Sequence, residues 1–461
     1  MKYGTIVQIS ESVVDVKFEQ GQLPRVRESV VVSAGVKCWV MEVAQHLGNS
    51  TVRCVLLTKN DGLTRGMMAE ATGASITVPV GAKTLGRVFE VIGNVIDGGA
   101  LLPDATERRS IYRKSPGLEI RQAKAEMLET GIKAIDLLCP YPKGGKIGLF
   151  AGTGYGKRTL AWELICNLTL KHGGRSVFAG IVRSIQEGSE LLEEFRSSGA
   201  LSHTALVLGN MGEPPGARMR LALTGLTMAE YFRDAEHKDV LLVIDNFSRL
   251  LRSSNEVSTM LGGMPRAVEQ LPTYKNGMAE LQERIAATRY GSLTSIQTVY
   301  APEDEQNSSV RAAFFNLDAA TVLSRRLAEQ GIYPAIDPLK SSSWLMEPDK
   351  LGEEHFQLAR CVRKILERCS EIQELAIVHH LDELSEEDMT TMSRAVKIRL
   401  FLTQPLHAAE RFTKTPGIYV PLKETLRGFK AIVNGEMDDY PDSAFFNAGT
   451  IDDVKEKALR L

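Results

Sequence analysis

The residues best placed to do chemistry are Gly152, Thr153, Gly154, Tyr155, Gly156, Lys157, Arg158 and Thr159. They follow a short apolar stretch, Ile147-Gly148-Leu149-Phe150, and run into apolar positions Leu160, Leu164, Ile165 and Leu168 at helical spacing. A strand, a glycine-rich turn and a lysine at a helix start form the layout of a phosphate-binding loop. The glycines let backbone N–H groups turn inward, and the helix N-terminus adds about half a positive charge. Lys157 would reach the outer phosphates as a point charge.

The match to GxxxxGK[ST] fails in two places. Ala151 replaces the first glycine, a mild change, and Arg158 replaces the hydroxyl residue after the lysine. In such loops that hydroxyl holds the Mg²⁺ bridging the phosphates. Arginine offers a metal no lone pair and brings its own charge. Thr159 is one position late, about 100° round a helix. The loop therefore reads as able to hold phosphate and poorly able to hold magnesium; the bland alternative is a glycine-rich turn before a core helix. A second candidate is Asp245, which ends the apolar run Val240-Leu241-Leu242-Val243-Ile244. A buried strand ending in aspartate puts its carboxylate at the sheet's C-terminal edge, where nucleotide hydrolases anchor a hydrated metal or the attacking water. Its ordinary alternative is a strand-end acid capping the next turn.

The elements that must position these residues change character along the chain. Residues 1–75 read as a small β-barrel, with strands at Thr5–Ile9, Val13–Phe18, Cys38–Val43 and Thr51–Leu57. From 76 to 345 strands alternate with helices, the signature of a mostly parallel sheet, with Ser176–Ile181 and Ala205–Leu208 beside Val240–Asp245. Residues 346–461 read as helical, with Phe356, Ala359, Val362, Ile365, Leu366, Cys369 and Ile372 on one apolar face. The run Asp382-Glu383-Leu384-Ser385-Glu386-Glu387-Asp388 packs five acids into seven residues, either a solvated helix start with Ser385 and Asp388 as a capping box or a contact surface. With 461 residues, 43% apolar and net charge −2, the chain is an ordinary multidomain protein with no basic field for nucleic acid. Its six scattered cysteines fit a reduced compartment with mostly buried thiols. No apolar run approaches 18 residues and the N-terminus reads as a strand, so neither a membrane span nor a signal peptide is expected.

Several strings together resemble one family, the beta subunit of F-type ATP synthases. They are Ile76-Thr77-Val78-Pro79-Val80-Gly81, Leu128-Glu129-Thr130-Gly131-Ile132-Lys133 and Gly144-Gly145-Lys146-Ile147-Gly148-Leu149-Phe150. To these add Glu213-Pro214-Pro215-Gly216-Ala217-Arg218, Leu223-Thr224-Gly225-Leu226-Thr227 and Gly331-Ile332-Tyr333-Pro334-Ala335-Ile336-Asp337-Pro338. The acidic run from Asp382 to Asp388 reproduces that family's acidic loop letter for letter, and the resemblance spans nearly the whole chain in order. It implies an α/β protein: an N-terminal β-barrel, a central RecA-like phosphate-loop nucleotide-binding domain with a mostly parallel sheet, and a C-terminal helical domain. It also implies ATP or ADP as ligand, alpha-type partners in a hetero-hexameric ring around a central shaft, and peripheral membrane attachment through that complex on the cytoplasmic or organellar matrix side. Lys157 and Asp245 match the phosphate lysine and the strand-end acid, Arg249 and Glu256 match positions of structural role, and Tyr333 and Phe412 match two adenine-stacking aromatics, the third being Leu406. Asp382, Glu383, Glu386, Glu387 and Asp388 match the shaft-facing loop.

The departures from the family fall on the chemistry. The magnesium-binding threonine is Arg158, and the run Gly-Glu-Arg-Thr-Arg-Glu-Gly is Val182-Arg183-Ser184-Ile185-Gln186-Glu187-Gly188, so the water-polarising acid has become Arg183 and a phosphate-reading arginine Ser184. A further arginine is Gly263, and the loop Glu303–Arg311 is altered. Arg183 cannot accept a proton, and Glu187 already belongs to the family pattern, so it is not expected to substitute. Water-orienting groups contribute about 10²–10⁴-fold, and the metal ligand is lost as well. The expectation is a beta-type subunit that binds nucleotide and turns over little or none, Arg158 and Arg183 standing in for the cation. In the competing version the two arginines collapse onto Asp245 or Glu187 and the pocket stays empty. Two other functions stay open: a catalytically active beta subunit in proton-coupled ATP synthesis, and a secretion-type or RNA-translocating hexameric ATPase.

Overall fold

Short β-branched strands at the N-terminus close on themselves. β1 (Lys2–Ser10), β2 (Val13–Phe18), β3 (Ser29–Ala34), β4 (Lys37–Gly48), β5 (Thr51–Leu56) and β6 (Met68–Ala71) form a closed barrel in the order β1-β2-β5-β4-β3-β6. Every neighbouring pair is antiparallel, and β6 pairs with β1 to remove the free edges. Val14, Val16, Trp39, Met41, Val52 and Cys54 fill the interior. Bulges between Ile6 and Gln8 in β1 and between Val43 and Gln45 in β4 bend the long strands enough for closure.

The computed structural model describes residues 2–122, 126–152, 154–263, 272–301, 317–378 and 385–461. They fall into two units, one from residues 1–121 and 174–297 and the other from 122–173 and 298–461. In the first unit, Gly291–Tyr300, Val240–Asp245, Arg175–Val182, Thr204–Asn210 and Val88–Phe89 lie side by side in that order, every pair parallel. Strands buried on both faces read as continuous apolar runs, which is why Val240–Asp245 was legible to the residue. The helix Pro215–Asp234 packs across this sheet, and inside the same unit it meets the barrel through charge. Arg220 grips Glu42 of β4 at 3.0 and 2.5 Å, and the Tyr112 hydroxyl donates to the same carboxylate at 2.8 Å. Arg284 forks onto the buried Glu230 at 2.8 and 2.9 Å.

In the second unit, Lys146–Ala151 runs parallel to Ala319–Val322, and Ser342–Ser343 pairs antiparallel at the edge. The helices Glu353–Val378, Glu386–Phe401, Leu422–Val433 and Ile451–Ala458 complete it. On the first of these Ala359, Val362, Leu366, Cys369 and Ile372 are buried as expected, and Leu358 joins them while Phe356 and Ile365 are half-buried. Phe401 stacks edge-on against Phe429 and Phe445 at ring separations of 5.0 and 6.4 Å. The buried Lys133 sits 4.0 Å from the centre of the Phe401 ring and donates to the Ala448 carbonyl at 2.6 Å. Barrel, parallel-rich sheet and C-terminal helices are the fold class the sequence predicts.

Candidate nucleotide site

In the second unit the strand Lys146–Ala151 delivers the glycine loop to the helix Lys157–His172. Gly156 caps that helix at φ 80°, and Gly154 sits at φ 89°, a backbone region that a side chain would strain. Lys157, Arg158 and Thr159 are its first three residues, all half-buried. The place of a metal-holding hydroxyl is thus taken by a guanidinium on the first turn, with Thr159 about 100° away. Tyr155 folds back across the loop: a Cβ on Gly152 would fall 2.5 Å from its ring. Thr153 lies outside the described residues.

Two further segments of this unit approach the loop helix. The Tyr333 ring, 41% exposed, lies 3.6 Å from where a Cβ on Gly156 would sit. Behind the helix, fully buried Glu163 accepts from the Ala408 N–H at 2.8 Å and shares a 2.9 Å hydrogen bond with His407 Nδ1. That carboxylate raises the His407 pKa, with burial opposing. It also anchors the segment that begins at the buried Leu406. Tyr333 and this anchored segment are therefore held at the loop helix, whereas Phe412, on the short helix Glu410–Thr413, is 78% exposed. The Glu163–His407 pair lies outside the motifs read from the sequence, where its one trace is a glutamate on the otherwise apolar face around Leu160 and Leu164.

In the first unit the strand register brings Gly180 level with Asp245 and Val182 level with Asn210, so Arg183, Met211 and Asn246 leave the sheet at one edge. Asp245 is half-buried and joined to Asn246 by a cis peptide. Asn246 caps the helix Phe247–Met260, its Oδ1 accepting from Ser248 at 2.7 Å. Arg249 donates to the Ile181 carbonyl, and Glu256 pairs with Arg218 at 2.6 Å, so both brace this edge. Arg183 is exposed and makes no ion pair among the described residues. The nearby acid is already committed: Glu187 Oε2 accepts from the Arg183 N–H at 2.6 Å, and the Glu187 N–H donates to Ser184 Oγ at 3.2 Å to start the helix Ile185–Ser197. Ser184 and Glu187 have the spacing of a capping box, the signal in the sequence for that role. Beside them, burial pushes the Glu213 carboxyl up to about 7, although Asn210 donates to it.

Gly263 follows the Phe247–Met260 helix, while Met264, Pro265 and the loop Glu303–Arg311 lie outside the described residues, as do Asp382 and Glu383. Glu386, Glu387 and Asp388 form the first turn of the helix capped by Ser385, whose Oγ accepts from the Asp388 N–H at 3.1 Å. Asp388 is also held by Arg368 at 2.9 Å, which leaves Glu386 and Glu387 facing solvent. Among the described residues no group of three or more His, Cys, Asp or Glu side chains is arranged to hold a metal ion, and no helix is long and apolar enough to cross a membrane.

Three family models match the chain in succession. The beta-barrel domain of the ATP synthase alpha/beta family covers residues 6–73, its nucleotide-binding domain residues 131–343, and the C-terminal domain of V and A type ATP synthase residues 346–441. The chain belongs to the ATP synthase alpha/beta family. The match to the family's nucleotide-binding domain contains the phosphate loop, Arg183, Asp245 and Tyr333. The last match is to V and A type subunits, whereas the strings in the sequence resemble the F-type.

Proposed function

We propose that the chain is a beta-type subunit of an F-type rotary assembly that holds ATP or ADP on its phosphate loop without hydrolysing it. The observation that carries this reading is the replacement of both reactive groups by guanidiniums while the scaffold around them is kept. Arg158 occupies the first turn of the loop helix, and Arg183 projects from the sheet edge with Glu187 spent on its backbone N–H. Magnesium does not fit the donor set: the hydroxyl directly after Lys157 is gone, Thr159 stands about 100° round the helix, and a guanidinium repels a dication. Phosphate does fit, because the loop N–H groups, Lys157 and the helix N-terminus remain. The F-type assignment rests on the acidic run Asp382–Asp388, and with it come alpha-type neighbours in a ring and a shaft that Glu386 and Glu387 would face.

Retention of Lys157 and Asp245 favours the second reading, a subunit that still turns over ATP in proton-coupled synthesis. Calorimetric titration with ATP in magnesium and in EDTA separates the two. Equal affinity in both buffers is expected, because the cation is carried by the protein. Binding that disappears in EDTA would restore the metal and refute the proposal.

A further inference from the structure

Inside the second unit, lined by none of the phosphate-loop residues, a cavity of about 140 Å³ opens beneath the segment 324–339. Its floor is apolar, with Ile336 at 3%, Leu366 at 1% and Leu402 at 6% exposure. Its polar lining comprises two arginines, Arg326 and Arg399, with Ser324, Gln330, Asp337 and Ser370. Neither makes an ion pair or side-chain hydrogen bond among the described residues, although other charges in the segment are matched. Arg325 takes Glu329 at 2.7 Å. Asp337, which also lines the cavity, accepts from the Leu339 and Lys340 N–H groups at 3.0 and 3.1 Å, with the Lys340 ammonium 3.9 Å away. Its charge is thereby answered locally, and the cavity keeps an excess of positive charge.

The two arginines also have a plain explanation. Arg399 stands in the last turn of the helix Glu386–Phe401, where a cation favours the helix dipole, and Arg326 is exposed. Neither placement accounts for the apolar hollow that both of them border. A cavity of about 150 Å³ has room for a benzene-sized body, which here would lie on the apolar floor with the polar lining at its side. A bare phosphate would leave the floor unsatisfied, and a neutral hydrocarbon would leave the cations without a partner.

We infer that this cavity is a binding site for a small amphipathic carboxylate, its benzene-sized apolar body on Ile336, Leu366 and Leu402 and its carboxylate on Arg326 and Arg399. Arginine–carboxylate pairing supplies orientation as well as attraction, and the apolar contact supplies selection by size. The site uses none of the loop residues, and Tyr333, which faces the loop helix, is not among its lining although Ile332 and Pro334 beside it are.

Isothermal titration calorimetry of the full chain with benzoate, benzyl alcohol and inorganic phosphate, each run with and without saturating ATP so that the phosphate loop does not contribute, tests it. Benzoate should bind saturably, with the other two at least about tenfold weaker, because each lacks one half of the match. Arg326→Gln and Arg399→Gln should each weaken benzoate about tenfold and leave the thermal midpoint within a degree or two, both side chains lying outside the core. Saturating ATP should leave benzoate binding unchanged. Failure of benzoate to saturate, equal binding of benzyl alcohol or phosphate, indifference to both arginine variants, or displacement by ATP would each overturn the proposal.

Discussion

Glu213→Gln should stabilise the protein above neutral pH and do little near pH 4.5. Glu213 follows the strand Thr204–Asn210, and its Oε1 accepts from the Asn210 N–H and amide at 3.2 and 3.1 Å, fixing the turn beside the Arg183 edge. Burial dominates its titration, and Glu90 adds repulsion. Lys59 and Arg218 pull the other way without overcoming burial, Arg218 being engaged with Glu256 and touching Glu213 only at its carbonyl. Raising the carboxyl from 4.5 to about 7 corresponds to about 3 kcal/mol. The sign follows from proton binding. Between those two values the folded state holds a proton that the unfolded chain has released, so stability falls as pH climbs from 4.5 to about 7 and stays low above. Glutamine keeps the acceptor oxygen and removes the penalty. For a unit of roughly 250 residues, about 3 kcal/mol is a rise of several degrees in thermal midpoint at pH 8. Thermal melts of both proteins from pH 4.5 to 8.5 provide the measurement. Midpoints that stay parallel across the range, or a variant less stable at pH 8, would show that Glu213 is not held protonated by its surroundings.

Other consequences are open to direct measurement. Arg158→Thr with Arg183→Glu, assayed for phosphate release beside an alpha-type partner, should raise turnover by about 10² or more where each single change does little; an unchanged rate would mean the rest of the site has decayed too. His407 has a folded pKa above its unfolded 6.5, so its bond to Glu163 contributes fully below 6.5 and is lost as pH rises through the folded value. The midpoint difference between wild type and His407→Ala should therefore shrink from pH 6 upward, and a difference that grows instead would reverse the assignment. Glu42→Gln leaves Arg220 as a buried, half-answered charge and should cost about 3–5 kcal/mol, read as a lowered urea midpoint; an unmoved midpoint would mean that water or Tyr112 compensates.

How much of this was legible depended on where burial leaves a periodic trace. The strand Val240–Asp245 announced itself because both faces are buried, and the loop helix because Leu160, Leu164, Ile165 and Leu168 are all covered. The strand Gly291–Tyr300 is as central and gave no such signal. Ser292, Thr294, Ser295, Gln297 and Thr298 are all buried in it, so its pattern reads as a loop. What makes that burial tolerable is distant in sequence: Gln297 and Gln282 exchange amide hydrogen bonds at 2.8 and 3.0 Å. β3 and β6 were likewise silent, since Ser29–Ala34 and Met68–Ala71 are short and make sense only as the strands that close the barrel. At the candidate site the backbone-borne part is readable from glycine spacing, whereas the capping-box spacing of Ser184 and Glu187 and the lone glutamate at 163 name a role without the partners, Arg183 N–H and His407, that only the folded chain supplies.

That division also explains how a chain of this family could keep a nucleotide and lose its chemistry. Phosphate is gripped mainly by groups every residue carries, the N–H groups of a turn fixed by Gly154 and Gly156 and the end of a helix whose apolar face is core. Changing Thr to Arg in the first turn leaves that geometry intact, because the side chain departs from the helix surface and breaks no backbone bond. Hydrolysis depends on two side-chain oxygens placed to hold a metal and a water, and each can be lost by one substitution without any penalty in folding. Binding is thus insured by the fold itself, while turnover hangs on single atoms. On the proposed reading Arg158 and Arg183 put fixed positive charge where the metal and the water-orienting acid would act, so the attraction for phosphate survives without the atoms that would cleave it.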